Sequence, residues 1–255
     1  MNHLLQLDGK VSIVIPGYNE GASIFKNLIT CESVFSDMFP DFEIIFVNDG
    51  STDNTLEMAT KASPDIPSLW VIDSPTNEGK GSALQIGTSR ATGKYIVFLD
   101  ADLELPPTQL PTFFALLEDQ NADVVIGSKM HPNSVINSPS GRKFVSFSYY
   151  LLIALLFNQK LRDTQTGLKL FKAEVIKPIA PNLRTKRFAF DIEMIVMIAR
   201  QGWKIVESPV IMEYKREYRW GRIRMKDIVD VAKDTLAIFL RLHFTKDYDR
   251  TDFPK

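Results

Sequence analysis

Apolar residues fall in short runs along the first half of the chain, all but the first closing on a polar or acidic residue. The runs are VSIVIP (residues 11–16), EIIFVND (43–49), LWVID (69–73), YIVFLDAD (95–102) and ADVVIGS (122–128). Short β-branched runs without strict alternation predict strands covered on both faces. The stretches between them, GASIFKNLITCESVF, STDNTLEMATKAS, GSALQIGTSRA and LPTFFALLED, carry helical spacing. Ser51 or Thr52, ahead of Asp53, offers the second of these an N-cap with an acidic first turn. Strand alternating with helix predicts an α/β fold with a mostly parallel sheet flanked by helices.

The second half is less regular. INSPSGRKFV (136–145) reads as an exposed loop with two basic residues, and FAFDIEMIVMIARQGW (188–203) as a helix stopped at Gly202. KIVESPVIMEY (204–214) reads as a strand with a proline at its edge. The pattern closes on an amphipathic helix within RMKDIVDVAKDTLAIFLRLHF (224–244), apolar at Ile228, Val231, Ala232, Leu236, Phe239 and Leu242. The expected organisation is one domain over residues 1–215 and a C-terminal basic segment and helix over 216–255, packed on that domain or on a membrane surface.

The 255-residue chain has 45% hydrophobic and 24% charged residues, which places it among ordinary globular proteins. Its net charge of -1 argues against a nucleic-acid partner, since phosphate-backbone binding calls for a basic excess. Cys31 is the single cysteine, which excludes an internal disulfide and a cysteine-built zinc site. The N-terminus lacks the pattern of a signal peptide. The most apolar run, FVSFSYYLLIALLF (144–157), is broken by serines and falls short of the roughly 20 residues that span a bilayer.

Candidate chemistry gathers at the predicted strand ends. In open parallel sheets ligands sit outside the carboxyl ends of the strands, and Asn48, Asp49, Asp73, Asp100, Asp102 and Ser128 all fall there. One terminal aspartate is an ordinary helix cap; several together predict a shared polar rim. A turn at Ala101 would bring Asp100, Asp102 and Glu104 together, and an all-oxygen set of this kind suits Mg²⁺ or Mn²⁺ rather than zinc. Because Mg²⁺ is commonly held by one or two carboxylates plus substrate phosphates, the end of this strand is a candidate diphosphate clamp.

VSIVIPGYNE, IIFVNDGSTDNT, NEGKGSALQIG, ATGKYIVFLDADLELPP and VVIGSK, in this order and spacing, resemble the nucleotide-sugar half of family 2 glycosyltransferases of the GT-A fold. DTQTGLKLF (163–171) and FAFDIEMIV (188–196) are similar to the branch that charges polyprenyl phosphate with a hexose, the dolichyl-phosphate mannosyltransferases and β-glucosyltransferases. The resemblance implies nucleotide-sugar contacts at Pro16, Tyr18, Glu20, Val47, Asp49, Lys80, Asp100, Ala101, Asp102 and Lys129. It implies a metal at Asp100, Asp102 and Glu104, and acceptor-phosphate contacts at Arg142, Ser146, Arg216 and Arg222. Lys129 stands where arginine is usual, which turns a forked phosphate contact into a point charge.

The implied activity is inverting, metal-dependent transfer of a hexose from a UDP-glucose or GDP-mannose type donor to a dolichyl-type phosphate. A phosphate acceptor is mostly dianionic at neutral pH and needs no general base. A hydroxyl acceptor on a glycan, the alternative within the family, would need one, for which Asp191 and Glu193 are the candidates. Asp191 is otherwise expected to line the acceptor side. A non-enzymatic nucleotide-sugar-binding protein is the third reading, disfavoured by the three intact carboxylates. Members of the branch often carry C-terminal transmembrane helices, and none is seen here. The expectation is therefore a cytoplasmic enzyme peripheral to the cytoplasmic face of a membrane, with room for a membrane-protein partner, held by residues 142–157 as an interfacial loop and helix.

Overall fold

A computed structural model describes residues 4–136, 153, 156–157, 161–187, 189–212 and 225–245. Arg142, Ser146, Arg216 and Arg222, and with them most of the expected acceptor loop, lie outside the described residues.

The five predicted strands form, as β1 (Val11–Gly17), β2 (Phe42–Asp49), β3 (Leu69–Ser74), β4 (Tyr95–Phe98) and β5 (Val124–Ser128). The helices between them are α1 (Ile24–Met38), α2 (Thr55–Ala62), α3 (Lys80–Arg90) and α4 (Leu110–Asp119). Two short strands follow later, β6 (Val135–Ile136) and β7 (Lys169–Lys172), and then helices α5 (Ala173–Ile179) and α6 (Phe190–Arg200). The expected proline-edged strand is split into β8 (Ile205–Pro209) and β9 (Ile211–Met212), and α7 (Met225–Leu240) ends the described chain with a wider turn over Arg241–Thr245.

Seven strands make one sheet in the order β3-β2-β1-β4-β7-β5-β8, and β6 pairs with β9 in a small second one. All pairs in the main sheet are parallel except those of β7, which runs antiparallel between β4 and β5. Both faces are covered, as the short apolar runs predict. Ile13, Ile15, Ile44, Phe46, Val97 and Val125 pack in the layer with Leu28 and Phe35 of α1 and Phe113 of α4. Their strand neighbours Val14, Ile45, Val47, Ile96, Val124 and Ile126 pack with Leu84 of α3 and the buried residues of α5 and α6. The period of two along each strand divides the residues between the layers.

The chain adds β2 and β3 on one side of β1 and then crosses to place β4 on the other. That reversal leaves a crevice beyond the carboxyl ends of β1 and β4, where ligands of doubly wound sheets bind. At the opposite edge of the strands, Glu43 is buried. Its Oε1 accepts from Ser12 Oγ, Thr92 N and Thr92 Oγ1, each at 2.7 Å, and Lys10 Nζ stands 3.3 Å from Oε2.

Candidate active site

β4 stops at Phe98, four residues short of the predicted run, so Asp100 and Asp102 lie in a turn rather than on opposite faces of a strand. Leu103 N donates to the Asp100 carbonyl at 3.2 Å, and Leu103 adopts a φ of +51°. A branched residue rarely tolerates that region, and surrounding structure must hold it there. Here the Leu103 side chain is buried in the core layer with α1, and Asn27 of α1 donates from Nδ2 to the Ala101 carbonyl at 2.8 Å.

The turn forms as expected but does not gather its three carboxylates on one point. Among the described residues, no three acidic, histidine or cysteine side chains stand close enough to hold an ion by themselves. Two local contacts are made by this turn. Lys80 Nζ lies 2.5 Å from Asp100 Oδ1, and Glu104 N donates to Asp102 Oδ1 at 3.2 Å. The donors are still oxygen only. Two carboxylates completed by a ligand's phosphates are a usual Mg²⁺ arrangement, so Asp100 and Asp102 fit a shared Mg²⁺ or Mn²⁺ and do not form an all-protein cage. The Ser128 and Thr166 hydroxyls and the side-chain Oδ1 of Asn48 are buried without a protein partner at these strand ends. Polar atoms left in that state are open to water or ligand.

Lys80 is set in place by Asp49. The Asp49 carboxylate accepts from Glu78 N at 3.0 Å and Gly79 N at 2.9 Å, fixing the loop that opens α3. The side chain expected to meet the base or ribose therefore anchors the residue beside Asp100. Gly50, at φ +60°, lies so close to the Thr76 and Asn77 backbone that a Cβ would collide with it. The first amides of α3 are also occupied, since Gly81 N donates to the Lys186 carbonyl at 2.8 Å. Among the remaining expected nucleotide contacts, Pro16 and Val47 are buried in the sheet and Tyr18 is exposed beyond β1.

Glu20 lies in a loop stitched to the 51–55 segment: Glu20 N donates to Thr55 Oγ1 at 2.7 Å, and Asn19 N to Ser51 Oγ at 3.0 Å. Ser51 and Thr52 consequently do not cap α2, whose N-cap position is Asn54 with no side-chain capping bond. Their polar groups hold the neighbouring loop.

The antiparallel strand β7 and the loop before it, which strand patterning did not reveal, tie the rest of the site together. Asp163 Oδ2 accepts from Lys129 N at 3.0 Å and lies 3.7 Å from Lys129 Nζ. Gly167 packs against the Asp100 carboxylate so tightly that a Cβ there would stand 1.9 Å from Oδ2. Lys169 alternates with Leu168 and Leu170 and so faces α6, where its Nζ donates to Asp191 Oδ1 at 2.7 Å and to the Thr166 carbonyl. The signal in the sequence was a lysine inside LKLF, a charge placed in a buried strand that must have a partner.

Glu193 departs from its expected candidacy as a base. It is fully buried, and its Oε2 accepts from Arg184 N at 3.0 Å and Thr185 N at 2.7 Å, with Arg241 Nη1 3.6 Å from Oε1. It holds the loop before α6 and does not face the crevice.

These charges act on one another. Partial burial works to raise the Asp100 carboxyl, but the Lys80 ammonium beside it, with Lys169 and Lys129 further off, holds it below the usual carboxylate range. Burial opposes the charge on Lys80, yet Asp100, Asp191 and Asp102 together push its ammonium well above the ordinary lysine value. Lys169 goes the other way. Burial lowers it, the Asp191 charge opposes that, and Lys80 adds repulsion.

A crevice at the crossover of a doubly wound sheet, with an Asp-Ala-Asp turn and lysines around it, defines the GT-A class of nucleotide-sugar enzymes, and solved structures agree. Glucosyl-3-phosphoglycerate synthase from Mycobacterium tuberculosis, crystallised with Mn²⁺ and UDP-glucose, superposes with a TM-score of 0.68 at 18% identity, over 97% of this chain and 81% of that one. The model of glycosyl transferase family 2 matches residues 12–179, so the chain belongs to that family and is a glycosyltransferase. A dolichyl-phosphate β-glucosyltransferase of Trichomonas vaginalis is 33% identical over 94% of this chain and 76% of its own length. The Saccharomyces cerevisiae dolichyl-phosphate β-glucosyltransferase is 30% identical over 89% of this chain and 73% of its own.

Proposed function

We propose that the protein transfers a hexose, with inversion, from a nucleoside-diphosphate sugar to a polyprenyl phosphate of the dolichyl type. Glucose from UDP-glucose is the favoured donor sugar, on the strength of the two relatives named as dolichyl-phosphate β-glucosyltransferases. The observation that carries the phosphate acceptor is the state of the two candidate bases. Asp191 is bonded to the Lys169 ammonium, and Glu193 is sealed under the loop it holds. Neither is presented as the lone base a hydroxyl acceptor demands, whereas a phosphate acceptor requires none.

Asp100 and Asp102 would hold Mg²⁺ or Mn²⁺ against the donor diphosphate, and an ion so placed neutralises charge on the leaving group. Lys80 and Lys129 flank that position and stabilise the same developing charge with their ammonium groups. Arg142, Ser146, Arg216 and Arg222 are proposed to bind the acceptor phosphate. The protein is proposed to work at the cytoplasmic face of a membrane, where its acceptor is anchored. Among the described residues no helix is long and apolar enough to cross a membrane.

The test is a transfer assay with purified protein, Mg²⁺ or Mn²⁺, a panel of UDP- and GDP-sugars and a short polyprenyl phosphate. Lipid-linked glucose from UDP-glucose is the expected product. Turnover only with hydroxyl acceptors would overturn the acceptor assignment and make Asp191 the base to examine.

A further inference from the structure

The Lys169 side chain is only 1% exposed, yet with Asp191 it forms half of a four-charge cluster. Lys169 bonds Asp191 at 2.7 Å and Lys80 bonds Asp100 at 2.5 Å. The two halves interact: Asp191 acts on Lys80 as well, and Lys169 acts on Asp100. They differ in access. The Lys80 and Asp100 side chains are 37% and 42% exposed, while Lys169 and Asp191 are closed beneath them. Replacing both members of such a buried pair by packed apolar groups is often neutral for stability, whereas removing Lys169 alone leaves Asp191 a buried charge without its partner.

We propose that Lys169 is a positioning residue, a fixed internal cation that occupies Asp191 and so leaves the Lys80 ammonium for Asp100 and the diphosphate of the donor. With Lys169 absent, Asp191 is a carboxylate deprived of its counter-charge in a low-dielectric site, where attraction to the nearest mobile cation is strong. Lys80 has the flexible stem to answer it, and drawn towards Asp191 it is withheld from the donor. This inference rests on the nucleotide-sugar reading of the crevice.

The test measures UDP binding by titration calorimetry with saturating Mn²⁺, and needs no acceptor. Lys80→Met is made in the wild type, in Lys169→Met or Lys169→Gln, and in Lys169→Met/Asp191→Asn. Loss of the Lys80 charge is expected to weaken UDP about tenfold in the wild type, as for one charged hydrogen bond. The loss should fall below about twofold in the Lys169 single variants, where Lys80 is already withheld, and return to about tenfold once Asp191 is neutralised as well. A purely structural Lys169 would lower melting temperature but leave the Lys80 effect equal in all three backgrounds, and equal losses overturn the proposal. Failure of both single variants to fold would make Lys169 a folding residue and overturn it too. A wild type that binds neither UDP nor GDP would remove the donor reading itself, and this inference with it.

Discussion

Glu43 and Asp100 both hold their protons less tightly than an ordinary carboxyl, for different purposes. For Glu43 burial alone would raise the value, but hydrogen bonds from Ser12 and Thr92 and the charge of Lys10 outweigh it. A carboxyl with a lowered folded-state pKa adds stability that is fully present above its unfolded value, 4.5 here, and is lost as pH falls through the folded value. Glu43→Gln is therefore expected to cost about 1–3 kcal/mol near neutral pH. The gap from wild type should close as both are denatured at progressively lower pH, as chemical denaturation series would show. Asp100 is tuned for the crevice, with Asp102 beside it across the turn. Asp102→Asn should lower metal-dependent transfer by at least ~100-fold while leaving melting temperature within a few degrees. Full activity in that variant would remove the proposed clamp.

Among the elements, the strand-to-turn transition after β4 and the loop into β7 set the site's geometry. Gly167→Ala isolates the second: the added methyl would overlap the Asp100 carboxylate, which is short, is held by Lys80 and must swing aside. Transfer is expected to fall about tenfold or more, a change of roughly 1.4 kcal/mol in barrier, with little change in thermal midpoint. An unchanged kcat/KM would mean that Asp100 moves without consequence. How legible these elements were depended on their period. The five parallel strands and four helices of the first half followed from short apolar runs and 3.6-residue spacing, and the polar strand ends from position alone. β7 was missed because four residues with a lysine at each end give no strand period, and only the antiparallel pairing to β4 and β5 explains them. The roles of Asp49, Glu193 and Lys169 were likewise invisible as roles. Each depends on a partner distant in the chain, such as Gly79 for Asp49 at 30 residues or Asp191 for Lys169 at 22.

At the scale of the whole molecule, the proposed polyprenyl-phosphate acceptor requires a surface that can meet a membrane. The C-terminal helix α7 offers one surface. Thr235, Ile238 and Leu242 turn inward, whereas Leu236, Leu240 and Phe244 are 54%, 44% and 73% exposed. Leu236 thus faces outward, where the sequence placed it on one face with Leu242. At a spacing of four, the exposed three line a single stripe, the geometry of a helix lying in a lipid interface. Arg142 and Lys143 supply basic charge elsewhere in the chain, and each such charge near an anionic surface contributes about 1 kcal/mol. Removing both should weaken binding to phosphatidylserine-containing vesicles about thirtyfold at low salt, and much less at high salt, where the Debye length shrinks. Leu240→Glu should weaken it at both salt concentrations, because the lost term is apolar burial rather than charge attraction. Both variants should retain UDP binding and melting temperature, since Leu240 is exposed and both sites are separate from the Asp100 turn in the chain. Vesicle sedimentation across a salt series separates the two contributions. If neither variant changes vesicle binding while lipid-acceptor transfer persists, the acceptor must be delivered by another route, such as a membrane-protein partner.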